Sequence, residues 1–163
     1  MSKIKTVRLG IVGMGGMGGE HASYVRQGKI RNCQLTAVCD VDPKRLEGVG
    51  EKVATFTDSS KLIRSGAVDA VLIATPHYDH TTVGVDALKN GLHVLVEKPI
   101  SVHKADAERL VAAHKGKGQV FAAMFNQRTR GQYRKVKELI DKGELGELMR
   151  VTWIITAWFR TEY

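Results

Sequence analysis

The chain holds only two cysteines, Cys33 and Cys39, too few and too close together for a disulfide framework. Both are read as reduced thiols, and the cytoplasm is the expected compartment. No apolar run reaches the roughly 18 to 20 residues of a membrane-spanning helix, so no membrane partner is expected. Arg8, Gly10 and Gly13 interrupt the one early apolar stretch, so a secretory leader is not expected either. Cysteine, histidine and carboxylate residues never fall at metal-ligand spacing, which argues against a metal site. A Gly-x-Ser-x-Gly turn is missing, which removes support for a hydrolase. There is no internal repeat and no low-complexity tract.

What is present is ordinary for a globular domain: 163 residues, 43% hydrophobic and 26% charged. The net charge of +8 could attract nucleic acid, but it suits a phosphate-bearing cofactor equally well. Lys and Arg are scattered over expected helices, with no recognition helix or aromatic–basic stripe beside them. Nucleic acid is therefore not an expected partner. Glycine is plentiful at 17 residues, which points to places where backbone turns sharply or meets a ligand closely.

Short apolar runs alternate with helix-compatible segments along the chain. Strands are expected at Thr6 to Val12, Leu35 to Cys39, Ala70 to Ala74, His93 to Val96 and Val120 to Phe125. Helices are expected between them: Gly18 to Gln27, a helix opened by Pro43 with Leu46, Val49 and Val53 inward, a short one capped by Asp58, His80 to Asn90, and Ser101 to about Lys115. This rhythm with short connections predicts an α/β fold, a Rossmann-type doubly wound parallel sheet with helices on both faces. After Asn126 a longer helix, Thr129 to Lys142, is followed by a β-branched and aromatic run, Leu148 to Phe159, that reads as a strand.

Gly13-Met14-Gly15-Gly16-Met17-Gly18 fits G-x-G-x-x-G. Alone the pattern is weak, but here it directly follows an expected strand and opens an expected helix. Gly13 permits the turn, Gly15 lets a pyrophosphate approach the backbone, and Gly18 allows close helix–strand packing. Asp40 ends the second strand, 22 positions beyond Gly18 and near the roughly 20 expected of the acidic ribose contact. A carboxylate there accepts from adenosine ribose hydroxyls and repels a 2′-phosphate, so NAD is expected over NADP. Asp42 competes for that role, or caps the segment opened by Pro43.

With Ala74-Thr75-Pro76 and Glu97-Lys98-Pro99 added to that turn, the chain resembles the Gfo/Idh/MocA family of sugar and polyol dehydrogenases from about Val7 to Arg150. Cys39-Asp40-Val41-Asp42, His80, Asn126 with Arg128, and the turn Glu144 to Leu148 belong to the same resemblance. It implies that Gly13, Gly15, Gly16, Met17, Gly18, Asp40, Thr75, Pro76, His80, Glu97, Lys98 and Asn126 contact the cofactor. Glu97 would meet the ribose nearest the nicotinamide. Lys98 would be the active-site lysine, bonding the reacting hydroxyl, and Lys98–Pro99 would be cis. A lysine at the carboxyl end of a parallel strand stands where such sheets bind ligands and could take part in proton transfer. The plainer reading of Lys98 is a surface residue paired with Glu97. His77 and His80 would likewise be either crevice residues or exposed loop residues.

The resemblance further implies a dinucleotide-binding domain over 1–126 and the start of a second α/β domain, truncated here, over 127–163. The family's catalytic His would lie beyond this chain, so the fragment is expected to bind NAD and turn over sugar or polyol negligibly. The terminal strand is expected to pair over Val151 to Phe159 with another chain, giving a homo-oligomer, or to fold back on this one. A non-catalytic dinucleotide-sensing or scaffolding module is the alternative, and it would have no use for Lys98.

Overall fold

The computed structural model describes residues 5–116, 118–154 and 156. The chain divides into two units, Met1–Met124 and Phe125–Tyr163.

The first unit is built on β1 (Val7–Val12), β2 (Cys33–Cys39), β3 (Ala54–Phe56), β4 (Ala70–Ile73), β5 (His93–Val96) and β6 (Phe121–Ala123). These form one sheet in the order β3-β2-β1-β4-β5-β6, with every neighbouring pair parallel. Parallel neighbours need crossovers rather than tight hairpins. Four crossover helices serve them: α1 (Gly16–Arg26), α2 (Ser59–Arg64), α3 (Asp79–Lys89) and α4 (Lys104–Ala113). The chain steps outward from β1 to β3, then returns to the other side of β1 at β4. That reversal opens a crevice at the carboxyl ends of β1 and β4. The doubly wound sheet expected from the sequence is the one observed.

Successive strand side chains point to opposite faces, so each central strand feeds two cores. Ile11, Val38 and Leu72 pack on one face with Ala22 and Val25 of α1. Val12, Ala37, Val71 and Ile73 pack on the other with Leu62, Val83, Ala87 and Leu110 of the remaining helices. Asp58 caps α2 as expected, accepting from the Ser60 N–H at 2.8 Å, which is worth about 1 kcal/mol.

Other expectations change. Pro43 opens only a 3-10 turn, Pro43–Leu46, rather than a helix reaching Val53. Gly48 and Gly50 take φ of 69° and 106°, which stops helix propagation, although Leu46, Val49 and Val53 still pack on the core. Strand β3 has no counterpart in the sequence reading, because three residues are too short to show a period. Helix α4 starts at Lys104 rather than Ser101.

The second unit contains a 3-10 turn, Asn126–Thr129, and α5 (Gly131–Asp141). Charge pairs at helical spacing lace α5, Lys137 with Asp141 at 2.8 Å and Lys142 with Glu138 at 2.6 Å. The strand expected over Leu148 to Phe159 is not formed at 148–154 or at Thr156, and the rest of that run lies outside the described residues. A strand persists by sharing its N–H and C=O groups with a neighbour. Among the described residues none supplies that ladder, and Val151, Trp153 and Ile154 stand exposed.

Candidate dinucleotide site

The register of the sheet brings distant residues into one row. Val12 lies opposite both Cys39 and Ile73, and Ile73 lies opposite Val96. The residues that follow, Gly13, Asp40, Ala74 and Glu97, therefore share one edge at the carboxyl ends. Backbone bonds continue the ladder there, from the Gly13 N–H to the Cys39 carbonyl at 2.8 Å and from the Glu97 N–H to the Ile73 carbonyl at 2.9 Å.

The glycines of the turn serve two different needs. Gly13 has φ of 92°, and a Cβ there would sit 2.7 Å from backbone atoms of Ala74 and Thr75. A Cβ on Gly18 would run into the Gly13 carbonyl oxygen. The fold itself demands both. A Cβ on Gly15 would meet only the Arg45 side chain at an ordinary 3.6 Å, and one on Gly16 would meet nothing within 4 Å. Among the described residues nothing requires glycine at these two positions, which leaves the backbone there open to the close approach of a ligand. Gly15 is also the N-cap of α1 and offers no side chain to its first N–H groups, so they remain available to an outside acceptor. Met17 beside them is exposed.

Asp40 is buried, and its carboxylate ties the turn to the end of β2. Its Oδ2 accepts from the Met14 N–H at 2.7 Å and its Oδ1 from the Asp42 N–H at 2.9 Å. Each oxygen retains a further lone pair for a ribose hydroxyl. Asp42 caps the 3-10 turn instead, accepting from the Lys44 N–H at 3.0 Å. A cavity of about 560 Å³ lies over this edge, lined among others by Gly13, Gly15, Asp40, Arg45, Thr75 and Pro76. Cys39 also lines it; burial first, then the charges of Asp40 and Asp58, push its thiol up to about 11. The Thr75 hydroxyl is buried without a partner among the described residues. An orphaned polar atom, the open Gly15 and an uncapped helix end at one cavity fit a bound dinucleotide.

Glu97, also buried, is held from two sides. Its Oε1 lies 2.7 Å from Nε2 of His21 on α1, and its Oε2 accepts from the Lys98 N–H at 3.0 Å. Lys98 meets Glu97 through its backbone, not its amine, and its side chain is exposed just past β5. The Lys98–Pro99 peptide is cis.

His80 departs from the sequence expectation. It is fully buried, with Nδ1 2.9 Å from the Pro99 carbonyl and Nε2 3.0 Å from the Thr75 carbonyl. Both ring nitrogens face backbone carbonyls and the ring is fully buried, so it braces the two loops and presents no edge to a ligand. His77 lies exposed on the loop, its ring edge-on to His80 at 5.6 Å. Asn126 belongs to the second unit, where its carbonyl accepts from the Thr129 hydroxyl at 2.8 Å.

Sequence reasoning missed His21 and Arg45. Neither sits in a local pattern: His21 meets a residue 76 positions away, and Arg45 reaches the glycine turn from a segment read as an ordinary helix. Among the described residues no group of three or more His, Cys, Asp or Glu could hold a metal ion, and no helix is long and apolar enough to cross a membrane.

Known proteins share this sequence family and fold. The model of the Gfo/Idh/MocA oxidoreductase family, NAD-binding Rossmann fold, matches residues 7–125. The inositol 2-dehydrogenase of Rubrobacter xylanophilus is 36% identical over 143 residues, covering 86% of this chain and 41% of its own. The myo-inositol 2-dehydrogenase of Thermotoga maritima is 30% identical over 151 residues, covering 90% of this chain and 45% of its own. The crystal structure of scyllo-inositol dehydrogenase from Lactobacillus casei, with bound NAD(H) and scyllo-inositol, superposes with a TM-score of 0.80 at 31% identity. That match covers 88% of this chain and 43% of the other. The chain thus spans less than half the length of these relatives.

Proposed function

The chain belongs to the Gfo/Idh/MocA oxidoreductases, and from that premise we propose that it is the cofactor-holding part of an NAD-dependent dehydrogenase of cyclic polyols or sugars. The cofactor supplies the hydride chemistry, and the protein supplies position and electrostatics. The N–H groups at the start of α1 would hold the pyrophosphate, with Gly15 and Gly16 leaving room for it. Asp40 would accept from the adenosine ribose hydroxyls, and Thr75 and Pro76, which line the same cavity, would contact the cofactor further along. Lys98, exposed at the end of β5, donates to the reacting hydroxyl and helps move its proton. The acid–base partner and most substrate contacts come from outside these residues, as the length of the relatives supports.

The observation that carries this reading is the split among the glycines of the turn: two are required by the fold, and two leave the backbone open to a ligand's approach. The test is calorimetric titration of the purified chain with NAD. Binding with a stoichiometry of one supports the reading; heat no greater than dilution at millimolar NAD rejects it. Inositol added with NAD should produce negligible NADH, since these residues span less than half the length of the inositol dehydrogenases they resemble.

Free thiols at Cys33 and Cys39 support a reducing compartment, the cytoplasm. The exposed apolar residues Val151, Trp153 and Ile154 support association of this tail with a second copy, which sedimentation would detect.

A further inference from the structure

Arg45 takes no part in the reading above, yet it overhangs the same cavity. Its Nη1 lies 3.6 Å from Oδ2 of Asp40, and its Nε lies 3.7 Å from Oδ2 of Asp42. Both separations exceed hydrogen-bond length, and the side chain is 54% exposed, so its donors are free to turn. The same Nη1 stands 3.6 Å from where a Cβ on Gly15 would be, directly above the glycine turn. Among the described residues lining the cavity Arg45 is the only cation, with Asp40 and Asp79 as the anions and Thr57 and Ser59 as nearby hydroxyls.

Asp40 is the residue expected to exclude a 2′-phosphate, and its surroundings weaken that exclusion. Two backbone N–H groups already donate to its oxygens, and Arg45 stands beside it. The negative charge that a 2′-phosphate would meet is therefore partly compensated from within. What projects into the cavity next to the ribose position is a loosely held guanidinium, whose planar fork suits phosphate oxygens.

We propose that Arg45 determines cofactor specificity by receiving the 2′-phosphate, so that the site takes NADP as a second cofactor behind NAD. This rests on the dinucleotide reading of the site. NAD remains preferred, since Asp40 still accepts from free ribose hydroxyls, but the preference is small. Removing the guanidinium widens it.

The experiment is a set of titrations of the whole chain with NAD and NADP at fixed salt, for wild type, Arg45→Ala and Arg45→Lys. In wild type the two dissociation constants should lie within about tenfold of each other. Arg45→Ala should weaken NADP by about tenfold or more, the scale of one charge-assisted hydrogen bond, and NAD by less than about threefold. Arg45→Lys, a point charge without the fork, should fall between them. Wild-type binding of NAD with none of NADP overturns the proposal. So does an Arg45→Ala variant that weakens both dinucleotides equally, which would make Arg45 a general adenosine or pyrophosphate contact. Failure of wild type to bind either dinucleotide rejects the underlying site reading instead. Arg45 is exposed and its ion pairs are long, so the variant should fold, and unchanged thermal unfolding without ligand verifies that.

Discussion

His21 and Glu97 form a pair at 2.7 Å that joins the helix behind the glycine turn to the strand end bearing Lys98. Their side chains are 15% and 7% exposed, so water does little to replace either partner. The helix that follows the glycine turn and the strand end that bears Lys98 are thereby held to each other through one carboxylate.

Removing His21 should therefore cost stability. His21→Ala should destabilise the chain by about 1–3 kcal/mol, the cost of leaving a buried acceptor without its partner. His21→Gln, whose amide can still donate, should recover part of that loss. Urea denaturation followed by circular dichroism reads both, and an unchanged midpoint for His21→Ala would show that the pair contributes nothing.

The four glycines of the turn should separate into two classes under substitution. Gly18→Ala forces a Cβ against the Gly13 carbonyl and should destabilise by about 2 kcal/mol or more. Gly15→Ala meets only an ordinary contact with Arg45 among the described residues and should change stability by no more than about 1 kcal/mol. It should nevertheless weaken NAD, because the new methyl occupies the ligand's approach. Equal effects of Gly15→Ala and Gly18→Ala on unfolding would refute this division.

Acid sensitivity should trace partly to Asp69. The Arg8 guanidinium, bonding its carboxylate at 2.7 Å, and then the Arg8 N–H hold the carboxyl at about 2, below its ordinary 3.8. A carboxyl whose folded value is depressed stabilises the fold above its unfolded value, and that contribution disappears as pH falls through the folded value. The window is thus about pH 4 down to about 2. Arg8 is substantially exposed, so the effect is modest and should shrink with salt. Asp69→Asn should flatten the stability profile in that window and leave its shape unaltered near neutrality.

Thiol chemistry should be suppressed at the cavity. With its thiol raised to about 11, Cys39 has little thiolate at neutral pH. Iodoacetamide at pH 7.5 should leave it unmodified in the folded chain and alkylate it in urea, as mass spectrometry of the digested protein would show. Fast labelling of folded Cys39 would mean that β2 opens at its carboxyl end.

The identity of the fold was legible because its signals are local. An apolar run ending in glycines, a carboxylate at the next strand end and the alternation of strand with helix each lie within a few turns of chain. Local periods show which segments are strands and helices, and spacing shows which glycines open the first helix. Short or interrupted pieces escaped: β3 has three residues, and the glycines at 48 and 50 ended a helix that apolar spacing alone would have continued. The terminal run has strand composition, but composition cannot supply the neighbouring ladder that a strand needs.

The division of labour within the site came only from tertiary structure. Whether His80 faces a ligand or braces two loops depends on carbonyls at Thr75 and Pro99 that the sheet brings together. Glu97 meets His21, and Arg45 overhangs Gly15, only because parallel strands set their carboxyl ends in one row. The chain's own pattern determines that a dinucleotide fold forms. Contacts between residues far apart in sequence decide which side chains remain free to touch what it binds.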